Sequence, residues 1–528
     1  MTMRLTAALA FVTTLAITPT ASAADPDLSW FTFETEHFHV HFHASPTDPK
    51  SFGEAFARRT GAIAEEAYTA MQEALGWIPY DDVVHILCTD GVDGANGLAR
   101  TQPYDFITVF AFGPESDTDL GRYDDWLRIL VYHELMHVLH LNITSGVVPA
   151  VVNTLLGKSL QPNQALPRWF VEGIATWAES RFTGSGRIRS VQFSQNLRVA
   201  ALEGTLPKGI GGLTGSPIAF PGASWAYTFG GTFVDWLVER FGQASLLEFV
   251  RVYGRRFIPF GINNVAREAF GQDFSQLYRL WREQWLVQVQ SVVGEHRKQG
   301  LRIGRRLTHT GHTNHAAVFA PDGRLAVVHS DGYGAGHRVL GTIGPDGIDF
   351  EQLYQCYGGC GRAAWSPSGE TLYSISGRWS DPYRFGRQVV RHELPGSRAL
   401  PPGQRAPEVP VRIIDSGKGE APRRVNPRAR ELDMRPDGRA IAYVTSHWGR
   451  NAIIEASLVD GGRRVLVDFD AGFDLTQPRY VRSRQGGFAV LFSGQRSGQF
   501  RDLYVRHPSG ALDRLTRDVY REISPVIA

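Results

Sequence analysis

The chain has 528 residues, of which 43% are hydrophobic and 20% are charged. This composition is typical of a folded protein with several domains, and it excludes collagen, coiled-coil and wholly disordered architectures. Because 55 Lys and Arg residues nearly balance 53 Asp and Glu residues, the net charge of +2 gives no support for nucleic acid or anionic lipid as a partner.

The first 23 residues have the pattern of a secretory signal peptide. Arg4 supplies a positive charge, residues 5–17 are apolar, and residues 21–23 form a small-residue cleavage site. The apolar run is shorter than the roughly 18 residues needed to cross a bilayer, and no later segment supplies such a run. We therefore expect export to the periplasm or the extracellular space, with no transmembrane segment in the mature chain.

Residues 24–300 and residues 305–528 differ in their hydrophobic patterns. Helical periodicity marks three segments of the first region, at residues 52–75, 126–141 and 232–241. Strand alternation marks three others, at residues 31–42, 83–88 and 106–112. After a charged stretch at residues 295–306, short apolar runs alternate with turn signals. The patterns predict an α+β domain followed by an all-β domain.

Turns of the Pro-Asp-Gly type recur between apolar runs of the second region. They lie at residues 321–323, 367–369 and 436–438, with a degenerate copy at 485–487. Their spacing is typical of propeller blades, and the longest interval holds a Pro-rich insert at residues 395–410. Residues 305–528 resemble the TolB-like β-propellers of secreted bacterial proteins, with about four blades. Residues 523–526 look like a further strand, which either closes the ring or leaves the propeller incomplete.

Three cysteines are too few for a disulfide scaffold. Cys88 lies in an apolar run and is expected to be a buried strand residue. Cys356 and Cys360 flank three residues, and in an oxidising compartment they can close a small disulfide loop. The alternative is a metal site, which would need more ligands than this segment offers.

A His-Glu-x-x-His motif lies in the helical segment 126–141. Residues four apart share one face of a helix, so the imidazoles of His133 and His137 can both bind one Zn²⁺. Glu134 beside them can hold and deprotonate an attacking water. Glu172, near the start of another helical pattern, would complete a His₂Glu ligand set with an open fourth position, which is typical of catalytic zinc.

Residues 24 to about 290 resemble the gluzincin metallopeptidases, and in particular the bacterial peptidase MA-like group. The matching segments are Asn96-Gly97 before a strand, the motif helix, the Pro-x-Trp-x-x-Glu-Gly-x-Ala helix at residues 167–175, and residues 227–233. The resemblance implies an α+β gluzincin domain in which His133, His137 and Glu172 bind one catalytic Zn²⁺ and Glu134 is the general base. Residues 143–166 would be an insert that covers the cleft.

Several further side chains have two interpretations each. Tyr227 either donates a hydrogen bond to an oxyanion or packs in the core. Glu179 shares a helical face with Glu172 and could orient a ligand imidazole, but solvent exposure is favoured. His140 either supports the site or is a polar neighbour of the cleft. A row of four imidazoles is expected to form the solvated face of a strand rather than a metal site: His37, His39, His41 and His43.

Together these features predict a secreted zinc metallopeptidase that hydrolyses peptide or protein substrates, followed by a propeller that could bind a protein partner. An extended substrate would add to the edge of the N-terminal sheet, expected at residues 106–112. The alternative is a propeller-based protein that binds a peptide or a cell-envelope component. Its zinc domain would then be inactive or would hydrolyse a non-peptide amide or ester.

Overall fold

The part of the chain that the computed structural model describes is residues 25–526 without the following positions: 26, 45–49, 77–82, 116–119, 121–122, 124, 216–223, 257–259, 301, 303, 310, 312, 331–337, 357–359, 395–407, 412, 416–422, 425–426, 471 and 497–498. The predicted signal peptide and most of the Pro-rich insert lie outside the described residues. Within them, no helix combines the length and apolar character that a membrane span requires.

A five-stranded mixed sheet opens the N-terminal domain. Its strands are β1 (Ser29–Glu34), β2 (Phe38–Ala44), β3 (Val84–Thr89), β4 (Gly97–Arg100) and β5 (Phe106–Phe110). Their spatial order is β1-β2-β3-β5-β4, with parallel pairing of β2 with β3 and of β3 with β5. The outer pairs, β1 with β2 and β4 with β5, are antiparallel.

This order corrects two predictions. The alternating run at residues 31–42 forms two strands instead of one, because the chain turns at Thr35, whose N–H donates to the Phe38 carbonyl. The expected edge at residues 106–112 is internal. Strand β4 pairs with β5 on the side away from β3, so β4 is the outer strand. The pairing begins at the hydrogen bond from the Phe110 N–H to the Asn96 carbonyl, at 3.1 Å.

Nine helices of the described chain cover and extend this sheet. They are α1 (Lys50–Leu75), α2 (Trp126–Leu141), α3 (Val147–Leu156), α4 (Arg168–Thr183), α5 (Val191–Leu202), α6 (Trp225–Phe241), α7 (Gln243–Tyr253), α8 (Ile262–Phe270) and α9 (Phe274–Lys298). One continuous apolar core joins the sheet to most of these helices. The three helices expected from periodicity are present, and the one expected at residues 232–241 begins earlier, at Trp225.

Four four-stranded antiparallel sheets form a propeller-like arrangement in the C-terminal region. The first contains β6 (Thr313–Phe319), β7 (Leu325–Ser330), β8 (Arg338–Ile343) and β9 (Glu351–Cys356). The second contains β10 (Ala364–Trp365), β11 (Thr371–Trp379), β12 (Phe385–Glu393) and β13 (Glu408–Pro410). After a small pair, β14 (Ile414–Asp415) and β15 (Arg423–Arg424), the third contains β16 (Ala429–Met434), β17 (Ala440–His447), β18 (Arg450–Ser457) and β19 (Arg463–Asp470). The fourth contains β20 (Phe473–Arg482), β21 (Phe488–Arg496), β22 (Arg501–Arg506) and β23 (Leu512–Arg514).

The four predicted turns join the first two strands of each sheet. Gly323, Gly369, Gly438 and Gly486 each have a positive φ, between 72° and 90°, and their N–H groups close the turns. Since such a φ is unfavourable for residues with a Cβ, glycine is the expected residue at these positions. The predicted strand at residues 523–526 is absent from the described structure. Ser524 instead donates to and accepts from the side chain of Gln477 in β20.

The three cysteines have the predicted environments. Cys356 and Cys360 form a disulfide, with their Cα atoms 5.2 Å apart. Cys88 is a buried thiol in β3, and burial raises its pKa to about 12. The disulfide therefore links the last residue of β9, the final strand of the first propeller sheet, to Cys360.

A buried polar contact joins the two domains. The guanidinium of Arg428 donates to Asp90 at 2.5 Å and to Asp93 at 2.7 Å, and both carboxylates are almost completely buried. Beside this pair, the propeller residue Trp448 packs in the N-terminal core. Its backbone N–H donates to the Asp90 carboxylate at 3.0 Å. Because these charges are withdrawn from water, their mutual pairing is essential to the contact.

The same contact corrects the expectation for the histidine row. His43 is buried, its ring lies 4.6 Å from that of Trp448, and its Nε2 accepts from the Asp90 N–H. His37 precedes β2 and bonds to Glu65. His39 and His41 remain half-exposed, as expected of a sheet face. The prediction of a solvated row is therefore wrong for His43, because it did not include the propeller that packs on this end of β2.

We expect Arg428→Met to weaken the domain contact severely, because it leaves two buried carboxylates without their cation. The cost should be about 3–5 kcal/mol, seen in calorimetry as an early transition that separates from the main unfolding. Lys298→Met, which removes an exposed ion pair with Glu295, is the control and should cost less than about 1 kcal/mol. Equal melting of the two variants would show that the buried pair does not hold the domains together.

Candidate metal centre

Three side chains that the sequence singles out as ligands converge between α2 and α4. His133 Nε2 and His137 Nε2 lie 3.1 Å apart, and Glu172 Oε2 lies 3.4 Å and 3.3 Å from them. Each offers one ligand atom, and these atoms lie within 4.8 Å of one another. In the described chain no other trio of His, Cys, Asp or Glu side chains meets this criterion.

The chemistry of this donor set fits a zinc ion. The two imidazole nitrogens face each other, and Glu172 Oε2 is buried with no hydrogen bond completed to it by the described residues. Two nitrogens and one carboxylate oxygen are ligands that Zn²⁺ accepts, and three protein ligands leave one position open. The arrangement is therefore suited to a catalytic zinc ion rather than a closed structural one.

Helix α2, which carries the two imidazoles, is capped at its start and largely buried. Asp125 caps its start by accepting from the Arg128 N–H at 3.2 Å, and twelve of its sixteen residues are buried. His133 and Glu134 are among the few polar residues that are buried in this largely apolar helix. Because so many of its side chains are packed in the core, rotation of the helix would be costly, and the direction in which the imidazoles point is fixed by this packing.

The position of Glu172 depends on the close crossing of α4 and α6. A Cβ on Gly173 would lie 2.7 Å from the carbonyl oxygen of Gly230, and a Cβ on Gly230 would overlap the carbonyl of Trp169. Such contacts are too short for any residue but glycine. The glycine that follows Glu172 therefore allows α4 to lie against α6 and to direct its carboxylate toward α2.

Glu179 supports His133 from behind, which corrects the expectation of solvent exposure. Its side chain is completely buried, and Oε2 accepts from His133 Nδ1 at 2.9 Å. Arg187, in a short 3₁₀ segment, donates to the same carboxylate through its backbone N–H and its guanidinium, at 2.6–2.9 Å. Burial alone would raise the pKa of Glu179, but the Arg187 charge lowers it to about 2. A hydrogen-bonded carboxylate of this kind orients the imidazole and leaves Nε2 for a metal.

Tyr227 and His140 occupy different surroundings. The Tyr227 ring lies 5.9 Å from the His133 ring and 4.8 Å from the Arg187 guanidinium, so this phenol borders the ligand group. Burial, followed by the Glu172 charge, raises the pKa of Tyr227 to about 12. His140 is completely buried against Phe170, and burial lowers its pKa to about 3. It is no member of the ligand group.

Glu134 lies against the outer strand β4. A Cβ on Gly97 would be 2.9 Å from Glu134 Cγ and 3.1 Å from its Oε1. The carboxylate therefore lies against the outer strand, one residue after His133 on the same helix. Asn96-Gly97 was expected before the strand at residues 106–112; in the structure Gly97 is the first residue of β4, and its contact with Glu134 has no signal in the sequence.

The segment between the two ligand helices is hydrogen-bonded to other parts of the N-terminal domain. Its residues bond to the loop after β4, where Gln102 Nε2 donates to the Lys158 carbonyl at 2.8 Å, and to the end of α7, where the Ser145 N–H donates to the Gly254 carbonyl at 3.1 Å. Among the hydrogen bonds of the described residues, none joins residues 143–166 to His133, His137 or Glu172. The expected covering of the cleft is therefore not seen in these bonds.

No protein-family model matches the chain, and no curated protein matches it. Three solved structures resemble it in part: a protein assigned as TolB from Agrobacterium tumefaciens (15% identity, TM-score 0.29), TolB from Acinetobacter baumannii (13%, 0.29) and a puromycin-hydrolyzing peptidase from Mycobacterium tuberculosis (16%, 0.28). The matches cover 39%, 39% and 41% of this chain and 66%, 44% and 34% of those chains. This chain thus spans less than two thirds of each, and similarity at this level says nothing of activity, substrate or partner.

We expect Glu179→Ala to lower the affinity for Zn²⁺ by about 10–100-fold, because His133 loses the acceptor that orients it. Zinc affinity is measured by competition with a chromophoric chelator. Glu179→Gln keeps an acceptor oxygen beside His133 and should lose less, and thermal melting reports whether each variant is folded. Unchanged zinc affinity in both folded variants would contradict a positioning role for Glu179.

Proposed function

We propose that this protein is an exported zinc metallopeptidase of the gluzincin type, which hydrolyses peptide bonds with Glu134 as general base. The observation that supports this most directly is the convergence of His133, His137 and Glu172, with Glu134 on the same helix as the two imidazoles and against the outer strand β4. The Cys356–Cys360 disulfide is consistent with export, since disulfides persist mainly in oxidising compartments.

His133, His137 and Glu172 would hold the ion. When bound, Zn²⁺ supplies a Lewis acid that polarises the scissile carbonyl and lowers the pKa of water toward neutrality. The chain's own contribution begins with the orientation of the ligands: Glu179 and Arg187 hold the His133 ring, and the Gly173–Gly230 crossing holds Glu172.

Glu134 is suited to move the proton. It follows His133 directly on α2 and is withdrawn from bulk water, so its carboxylate can accept a proton from the attacking water and deliver it to the leaving amine. Tyr227, whose ring lies 5.9 Å from that of His133, can donate its O–H to the developing oxyanion. No covalent intermediate with the protein is needed.

Strand β4 provides a surface for an extended substrate. It pairs with β5 on one side only, and as the last strand in the sheet order it leaves its other row of backbone groups unpaired by any described strand. A peptide that adds to this edge would lie next to Glu134, because Gly97 of β4 touches that side chain. The substrate edge proposed from the structure is therefore β4, which replaces the edge expected from the sequence.

We expect Glu134→Gln to lower the rate of peptide cleavage by about 10²–10⁴-fold while zinc affinity is kept, because the variant loses the proton acceptor but none of the ligands. A diverse peptide library is incubated with the mature protein or the variant, each loaded with zinc, and cut positions are read by mass spectrometry. If both proteins bind zinc and neither cuts any peptide, the peptidase proposal fails. A propeller-based binding protein or hydrolysis of a non-peptide bond would then be preferred.

We expect Gly97→Ala to lower the turnover number by about 10²-fold, because the added methyl group displaces the Glu134 carboxylate by a fraction of an ångström or more. Zinc affinity should not change. Gly94→Ala is the matched control, because a Cβ there meets nothing within 4 Å. Equal activity of the two variants would contradict the proposed placement of Glu134 against the sheet edge.

A further inference from the structure

Helix α3 exposes an unusually apolar face. Val147, Leu155 and Leu156 are 79%, 74% and 69% exposed, and Val148 and Val151 are about half exposed. Only Pro149 and Asn153 of this ten-residue helix are buried. We call the five exposed aliphatic side chains the α3 patch: Val147, Val148, Val151, Leu155 and Leu156. Contiguous exposed apolar surface of this kind marks an interaction site in a soluble protein.

A basic loop adjoins the start of the patch. The Ser145 side chain donates to the Arg251 carbonyl at 2.9 Å, and the side chain of Arg255 lies 3.6 Å from the position of a Cβ on Gly146. The Arg255 side chain is exposed, and no described carboxylate forms an ion pair with it.

The local charge is predominantly basic, although the whole chain is nearly neutral. Residues 143–167 contain one Lys and no Asp or Glu, and residues 248–262 contain three Arg and one acidic residue, Glu248. Lys158 is paired with Asp105, whereas no described carboxylate forms an ion pair with Arg251, Arg255 or Arg256. An apolar face flanked by arginine complements a bilayer with anionic headgroups, where each basic side chain adds to the attraction.

The dimensions of α3 determine how it could meet a bilayer. Ten residues at about 1.5 Å per residue span about 15 Å, half the thickness of a hydrocarbon core, so the helix cannot cross. A short helix with one aliphatic face lies in the interface with its axis parallel to the membrane. Protein interfaces are enriched in aromatic side chains at their centre, whereas the α3 patch contains only Val and Leu.

We propose that the α3 patch, together with Arg255, docks this protein on the surface of an anionic lipid bilayer. The patch inserts among the acyl chains near the headgroups, and the guanidinium contacts lipid phosphate. Because the loop after β4 is bonded to the segment after α3, docking would hold the β4 edge near the membrane. This proposal does not depend on peptidase activity.

The test is co-sedimentation of the full mature protein with vesicles of phosphatidylcholine alone or of phosphatidylcholine and phosphatidylglycerol in equal parts. We expect binding to the anionic vesicles and a loss of at least tenfold in Val151→Glu/Leu155→Glu. Arg255→Ala should weaken binding to the anionic vesicles by about fivefold. Val287→Glu/Val459→Glu changes two aliphatic residues that are equally exposed elsewhere, and it should bind like the parent.

Thermal melting ensures that the variants are compared as folded proteins, and exposed positions should leave the melting temperature unchanged. The proposal is overturned if the parent binds neither vesicle, or if the patch and control variants bind equally. Light scattering measures the oligomeric state and so tests whether a second copy of the chain covers the patch. A dimer of the parent that Val151→Glu/Leu155→Glu abolishes, without vesicle binding, would assign the patch to a second copy of the chain.

Discussion

A carboxylate withdrawn from water must be paired with a cation or with hydrogen-bond donors, and two such carboxylate groups organise this protein. Glu179 is completely buried and is paired with Arg187 and His133, which ties α4 and the 3₁₀ segment to the motif helix. Asp90 is buried at the end of β3 and is paired with Arg428 of the propeller region, which ties the two domains together. In both places a buried ion pair joins structural elements that are far apart in sequence.

The N-terminal sheet links these two places. Its β3 strand leads directly into Asp90 at the domain contact, and its outer strand β4 touches Glu134 beside the candidate metal centre. The propeller therefore packs against the sheet whose outer strand is the proposed substrate edge, and it contributes none of the three ligand residues.

The proposed membrane surface lies next to the same edge. Gln102, two residues after β4, bonds to the Lys158 carbonyl in the segment that follows α3. An exported peptidase docked through α3 would meet substrates at a lipid surface, with an extended peptide added along β4. Zinc chemistry, strand addition and docking are separate properties in this picture, since each rests on different side chains.

The sequence by itself determined the features that depend on local geometry. The i, i+4 spacing of His133 and His137 places both imidazoles on one helix face, and a glycine after each Pro-Asp or equivalent pair supplies the positive φ of a propeller turn. Only the tertiary structure decided that Glu179 is buried, that Arg187 is its partner and that β4 is the outer strand. Burial and strand order arise from contacts between segments remote in the chain, which hydrophobic periodicity along one segment does not encode.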